Sequence, residues 1–138
     1  MSPGATASQT VLVADDDPDL VVLVARRLEK KGYHVVTACN GEEALKRARQ
    51  YVPQLAVLDV MMPKLSGIEV MQRLRADPAM EGVRVVLISA GSQDNGPGGG
   101  AADADDFVKK PFSARELPDR VRAVLERAPH LAAGKSGS

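Results

Sequence analysis

"VLVADDDPDL", residues 11–20, sets an uninterrupted apolar run directly against four carboxylates and a proline. Val11 to Ala14 show no polar alternation, which suits a strand buried on both faces. Asp17 followed by Pro18 reads as a helix N-cap and first helical residue. A short side-chain oxygen accepts the free N–H groups of a first turn, and proline needs no donor there. The stretch therefore holds a strand end, a loop and a helix start. Negative charge is favourable at a helix N-terminus, which accounts for Asp17 and Asp19. Asp15 and Asp16, taken alone, are read equally well as capping or solvated acids or as ligands. Carboxylates this close raise each other's pKa unless a cation or hydrogen-bond donors lie among them.

The same switch of period recurs along the chain. "HVVTA" (34–38), "LAVLD" (55–59), "VRVVLIS" (83–89) and "DFVKK" (106–110) join "TVLVA" (10–14) as short strands rich in Val, Leu and Ile. Helical stretches separate them. The first carries Leu20, Leu23, Val24 and Leu28 as an apolar stripe and stops at Gly32. The second runs from Gly41 to Gln50 and the third from Ser66 to Arg75. The last runs from Ser113 to Arg127, with Ser113 and Glu116 spaced as a capping box. Alternating strands and helices predict an α/β fold, a doubly wound parallel sheet of five strands with helices on both faces. The single domain spans 10–127, and the polar flanks 1–9 and 128–138 read as disordered tails.

Composition narrows the function classes. The 138 residues carry 18 Lys plus Arg and 18 Asp plus Glu, so the formal charge is zero and no global basic field attracts nucleic acid. Aromatic residues are few, so the core is aliphatic. The lone Cys39 cannot form an internal disulfide, which fits a reducing compartment. Neither a signal peptide nor an apolar run of about 18 residues is present, so a soluble, cytoplasmic module without membrane contact is expected.

In sheets of this kind the functional crevice lies at the carboxyl ends of the strands. That rule collects Asp15 and Asp16 from strand one, Asp59 from strand three, Ser89 from strand four and Lys110 from strand five on one rim. With those residues placed, "VLVADDDPDL", "LAVLDVMMPKLSGIEV", "VVLISA" and "FVKKPF" together resemble, in order and spacing, the signatures of response-regulator receiver domains of two-component signalling. The resemblance covers roughly residues 10–127.

The resemblance implies a flavodoxin-like strand order 2-1-3-4-5 and a phosphorylation-activated switch. Asp59 would be the phosphoacceptor, taking a phosphoryl group from a sensor histidine kinase or phosphotransfer protein. The cofactor would be Mg2+, bound by Asp16, Asp59 and the backbone carbonyl of Met61, with Asp15 acting through water. Lys110 would pair with the phosphoryl oxygens, Ser89 would donate a hydrogen bond to them, and Ser89 with Phe107 would form the switch read by a downstream output protein or domain. The family also implies a cis Lys110–Pro111 bond. On this reading the chain is no turnover enzyme, although it assists its own phosphorylation and dephosphorylation, and it contacts no nucleic acid directly. Two alternatives stand beside it: a pseudo-receiver that acts only as an interaction module, and a haloacid-dehalogenase-like phosphatase with Asp15 as nucleophile.

The chain departs from the family pattern in "GSQDNGPGGGAADADDF" (91–107), where receivers carry a helix between the fourth and fifth strands. Four glycines and a proline between 96 and 100 disfavour helix by roughly 7 kcal/mol relative to alanine. A mobile loop over 91–101 is expected in place of the family's fourth helix. Lys64 and Ser66 also replace the more usual Gly and Asp after "MMP", a change read from sequence as minor.

Overall fold

The computed structural model describes residues 9–90, 104–113 and 115–127. Strands β1 (Thr10–Ala14), β2 (His34–Ala38), β3 (Leu55–Asp59), β4 (Arg84–Ser89) and β5 (Asp106–Lys109) form one parallel sheet in the order β2-β1-β3-β4-β5. Four helices are described around it: α1 (Pro18–Lys30), α2 (Gly41–Tyr51), α3 (Gly67–Ala76) and α4 (Glu116–Glu126). The fold class and strand order expected from the sequence are those observed.

Strand alternation sorts the core into two layers. Val11, Val13, Leu55, Val57, Val86, Ile88 and Val108 pack on one side against Val24 and Leu28 of α1 and Leu117, Val121 and Val124 of α4. Leu12, Ala14, Ala56, Leu58, Val85 and Leu87 pack on the other against Ala44, Leu45 and Ala48 of α2 and Val70, Met71 and Leu74 of α3. Apolar residues at both parities explain why the strands read as continuous hydrophobic runs.

Helix ends follow local chemistry. Asp17 caps α1 by accepting from Asp19 N at 3.0 Å and Leu20 N at 3.4 Å. Gly32, at φ 100°, ends it in a Schellman turn, with Tyr33 N donating to Leu28 O and Gly32 N to Glu29 O. The capping box expected at Ser113 is not formed. The Ser113 side chain accepts from Glu116 N at 3.2 Å, but α4 starts only at Glu116 and the cap residue is Arg115. The Glu116 carboxylate lies 3.6 Å from Arg120, one turn ahead, rather than reaching back. A complete capping box occurs instead at α3, between Ser66 and Glu69.

The expected loop over 91–101 falls outside the described residues, as do the tails except Gln9, whose carbonyl accepts from His34 N at 2.9 Å. Asp105 pins the chain where it rejoins the sheet. It pairs with Arg75 at 3.1 Å and accepts from Val85 N at 2.8 Å.

Val52, at the C-cap of α2, holds a left-handed conformation at φ 46° with its side chain exposed. A β-branched residue is costly there, and glycine at this position removes the clash at some cost in unfolded-state entropy. Val52→Gly is expected to raise stability by about 1 kcal/mol, read from the urea midpoint at unchanged slope.

Candidate functional site

The rows of the sheet that build the core run out at its carboxyl edge, and polar residues take over. Asp15 continues the row of Val11 and Val13, Asp59 that of Val57, and Lys110 that of Val108, all on the α1–α4 side. Register sets them side by side, since Ala14 pairs with Leu58 and Asp59 with Ile88. Ser89 and Phe107 belong to the opposite rows. Phe107 is half-buried against the α2–α3 core, and Ser89 is fully buried.

Asp15 and Asp59 are buried, whereas the Asp16 side chain faces solvent. Carboxylate oxygens of all three lie within 4.8 Å of one another. The Lys110 ammonium stands 3.1 Å from Asp15 Oδ2 and 3.5 Å from Asp59 Oδ2. Asp15 Oδ1 accepts from Asp17 N at 2.9 Å, and Asp59 Oδ1 from Met61 N at 3.4 Å. The peptide between Lys110 and Pro111 is cis, as expected, and Lys110 N donates to Ser89 O at 2.8 Å.

The electrostatics are unbalanced. Burial, followed by the charge of Asp15, raises the Asp59 pKa from 3.8 to about 6, against the opposing pull of Lys110 and the Met61 amide. For Lys110, burial works downward, but Asp15 and Asp59 outweigh it and the pKa is raised. Asp15 Oδ2 is buried and accepts no well-formed hydrogen bond among the described residues, although the Lys110 ammonium stands 3.1 Å away. Three carboxylates around one ammonium make a hard-oxygen donor set short of positive charge. Such a set fits a divalent cation of the Mg2+ type.

Residues 11–122 match the family profile of the response regulator receiver domain. The chain is a response regulator receiver domain. It is 44% identical over 121 residues to the alkaline phosphatase synthesis transcriptional regulatory protein PhoP of Bacillus subtilis, covering 88% of this chain and 50% of that protein. It is 41% identical over 119 residues to the phosphate regulon transcriptional regulatory protein PhoB of Rhizobium meliloti, covering 86% and 52%. The receiver thus spans about half the length of these relatives. Among solved structures, the response regulator TrrA of Thermotoga maritima in complex with Mg2+-BeF superposes with a TM-score of 0.77 at 33% identity, covering 85% of this chain and 99% of that one. The receiver domain of Francisella response regulator 1452 gives 0.77 at 34%, covering 87% and 98%.

Neither alternative reading is favoured. The family profile and the relatives named above are those of response regulators, and none of them points to a dehalogenase-like nucleophile at Asp15. Among the described residues of the receiver, no helix is long and apolar enough to cross a membrane.

Sequence reading missed Gly67 and misjudged Lys64. A Cβ on Gly67 would lie 2.3 Å from the carbonyl oxygen of Asp59, so α3 can begin there only on glycine. Its signal was the helix-poor Gly directly after the Ser66 cap. Lys64 is not a minor change: it takes φ 73°, the conformation that favours the glycine usual at this position.

Proposed function

We propose that Asp59 is the phosphoacceptor of this receiver, that its donor is a phosphohistidine on a sensor histidine kinase or phosphotransfer protein, and that the acyl phosphate changes binding to a downstream output protein or domain. The observation that carries this reading is the buried Asp59 carboxylate, set 3.5 Å from Lys110 within the Asp15–Asp16–Asp59 cluster.

An Asp59 oxygen bonds to phosphorus as the P–N bond breaks, and the departing imidazole keeps the electron pair and takes up a proton. Such transfer depends on alignment and charge neutralisation more than on covalent help. Lys110, already placed by Asp15 and Asp59, follows the incoming phosphoryl oxygens. The Ser89 hydroxyl donates to one of them and is drawn toward Asp59, and Phe107, on the same side of the sheet, follows. Mg2+ would be held by Asp16, Asp59 and the Met61 carbonyl, with Asp15 acting through water, and would supply charge neutralisation for the transferred group. The chain accepts and loses the group without turning over a separate substrate. With zero formal net charge, the chain has no global basic field for nucleic acid, and its output is read through protein contact.

Intact-protein mass spectrometry after incubation with acetyl phosphate and Mg2+ tests the assignment. One phosphoryl group is expected on wild type and none on Asp59→Asn, and equal incorporation in the variant would refute the role of Asp59.

A further inference from the structure

Gly41 opens α2 at a position where alanine would be the better helix former. A Cβ there would lie 1.9 Å from the Leu65 carbonyl oxygen and 2.6 Å from Leu65 Cβ. Backbone of the β3–α3 loop fills the space that a side chain would occupy. The Gly41 amide reinforces this contact by donating to Pro63 O at 3.2 Å. The same carbonyl accepts from Leu65 N at 2.8 Å, closing a three-residue turn around Lys64 at φ 73°. A γ-turn with positive φ at its centre is rare and strained for any residue with a side chain. The Lys64–Glu42 ion pair at 3.6 Å joins two exposed side chains and contributes little. Backbone packing on Gly41 therefore restrains the turn together with Leu65, which packs against the α2–α3 core.

Both ends of this loop are fixed elsewhere. Val60 N donates to Ile88 O at 2.8 Å, and Gly67 N donates to Val60 O at 2.9 Å. Met62 is buried in the core on the α2–α3 side. A displacement at Pro63–Leu65 therefore pulls on the backbone of Met62 and, through it, of Met61, which is exposed and whose amide donates to Asp59 Oδ1 at 3.4 Å.

We propose that Gly41 is a positioning residue for phosphoryl transfer: its missing side chain admits and holds the strained turn at Lys64, and that turn sets Met61 against Asp59. The inference rests on Asp59 being the phosphoacceptor. An alanine Cβ would move the loop by about 1 Å, a displacement that costs on the order of a hundredfold in a positioned reaction.

The experiment is a double-mutant cycle of Gly41→Ala and Lys64→Gly, with Gly82→Ala as a control because a Cβ at Gly82 meets nothing within 4 Å. Three quantities are read: the rate of phosphorylation by acetyl phosphate, Mg2+ affinity by isothermal titration calorimetry, and thermal stability. Gly41→Ala is expected to slow phosphorylation roughly a hundredfold and weaken Mg2+ binding about tenfold. Adding Lys64→Gly relaxes the turn so that it can clear the new methyl group, and recovers a large part of both losses. Gly41→Ala with wild-type rate and affinity overturns the proposal. So does a double variant that gains stability without recovering rate or affinity, since Gly41 would then act only in packing. If Gly41→Ala does not fold, a folded double variant with near-wild-type rate and affinity supports the proposal, and one that is unfolded, or folded but slow and weak in Mg2+ binding, overturns it. Wild type that takes no phosphoryl group at Asp59 removes the proposed function itself, a result distinct from every difference among the variants.

Discussion

Asp59→Asn is expected to stabilise the metal-free protein at pH 7 by about 2 kcal/mol, or roughly 6 °C in melting temperature. The Asp59 carboxyl is buried beside Asp15, and its pKa in the folded protein is raised from 3.8 to about 6. A raised folded-state pKa means that the folded protein holds the proton more tightly than the unfolded chain. Below pH 4 both states are protonated and the group costs nothing. Between about pH 4 and pH 6 the unfolded chain ionises first, so stability falls as pH rises, and above pH 6 the full cost remains. The raised pKa corresponds to about 3 kcal/mol at 1.36 kcal/mol per pKa unit, reduced because asparagine leaves Lys110 with Asp15 as its remaining partner. Melting curves of both proteins in EDTA should coincide near pH 4, diverge through pH 6 and stay parallel above it. Mg2+ should raise the melting temperature of wild type far more than that of the variant, because binding to the folded state alone adds stability. Equal melting temperatures at pH 7 without metal would show that burial beside Asp15 places no strain on Asp59.

Gly67→Ala should damage both fold and site. The new methyl group would meet Asp59 O at 2.3 Å, Asp59 C at 2.9 Å and Val60 Cα at 3.2 Å, all of them backbone. None can yield cheaply, because β3 is paired to both β1 and β4 and Val60 N is bonded to Ile88 O. The helix must lift away, weakening the bond from Gly67 N to Val60 O and disturbing the loop that carries Met61. A cost of about 3 kcal/mol is expected in urea unfolding, with phosphorylation slowed about a hundredfold. Gly82→Ala, whose Cβ meets open space, should stay within about 0.5 kcal/mol of wild type. Similar midpoints for the two variants would mean that α3 does not depend on its approach to Asp59.

Much of this molecule can be read from short stretches because the determining forces are local or periodic. Val11 to Ala14, Ala56 to Leu58 and Val85 to Ile88 are apolar at both parities, which only a sheet covered on two faces can bury. Asp17–Pro18 and Gly32 mark the ends of α1 by hydrogen-bonding rules that need no tertiary context. The strand-end rule alone gathers Asp15, Asp16, Asp59, Ser89 and Lys110 on one rim. Local rules failed at Ser113, where the spacing of a capping box was present but α4 begins only at Glu116, with Arg115 as its cap residue.

Tertiary structure decided what depends on distances between segments far apart in the chain. No pattern in the sequence states that Lys110 stands between Asp15 and Asp59, or that Asp59 is buried deeply enough beside Asp15 for its pKa to be raised to about 6. Those facts arise from strand register and desolvation. The roles of Gly41 and Gly67 were hidden for the same reason: a glycine shows in sequence as a weak helix former, but the backbone that fills its missing side chain comes from Leu65 in one case and Asp59 in the other. The sequence by itself determined which residues could meet at the carboxyl edge of the sheet, because period and composition follow from burial. Close packing of the folded chain decided how near they stand and which of them carry charge at a cost.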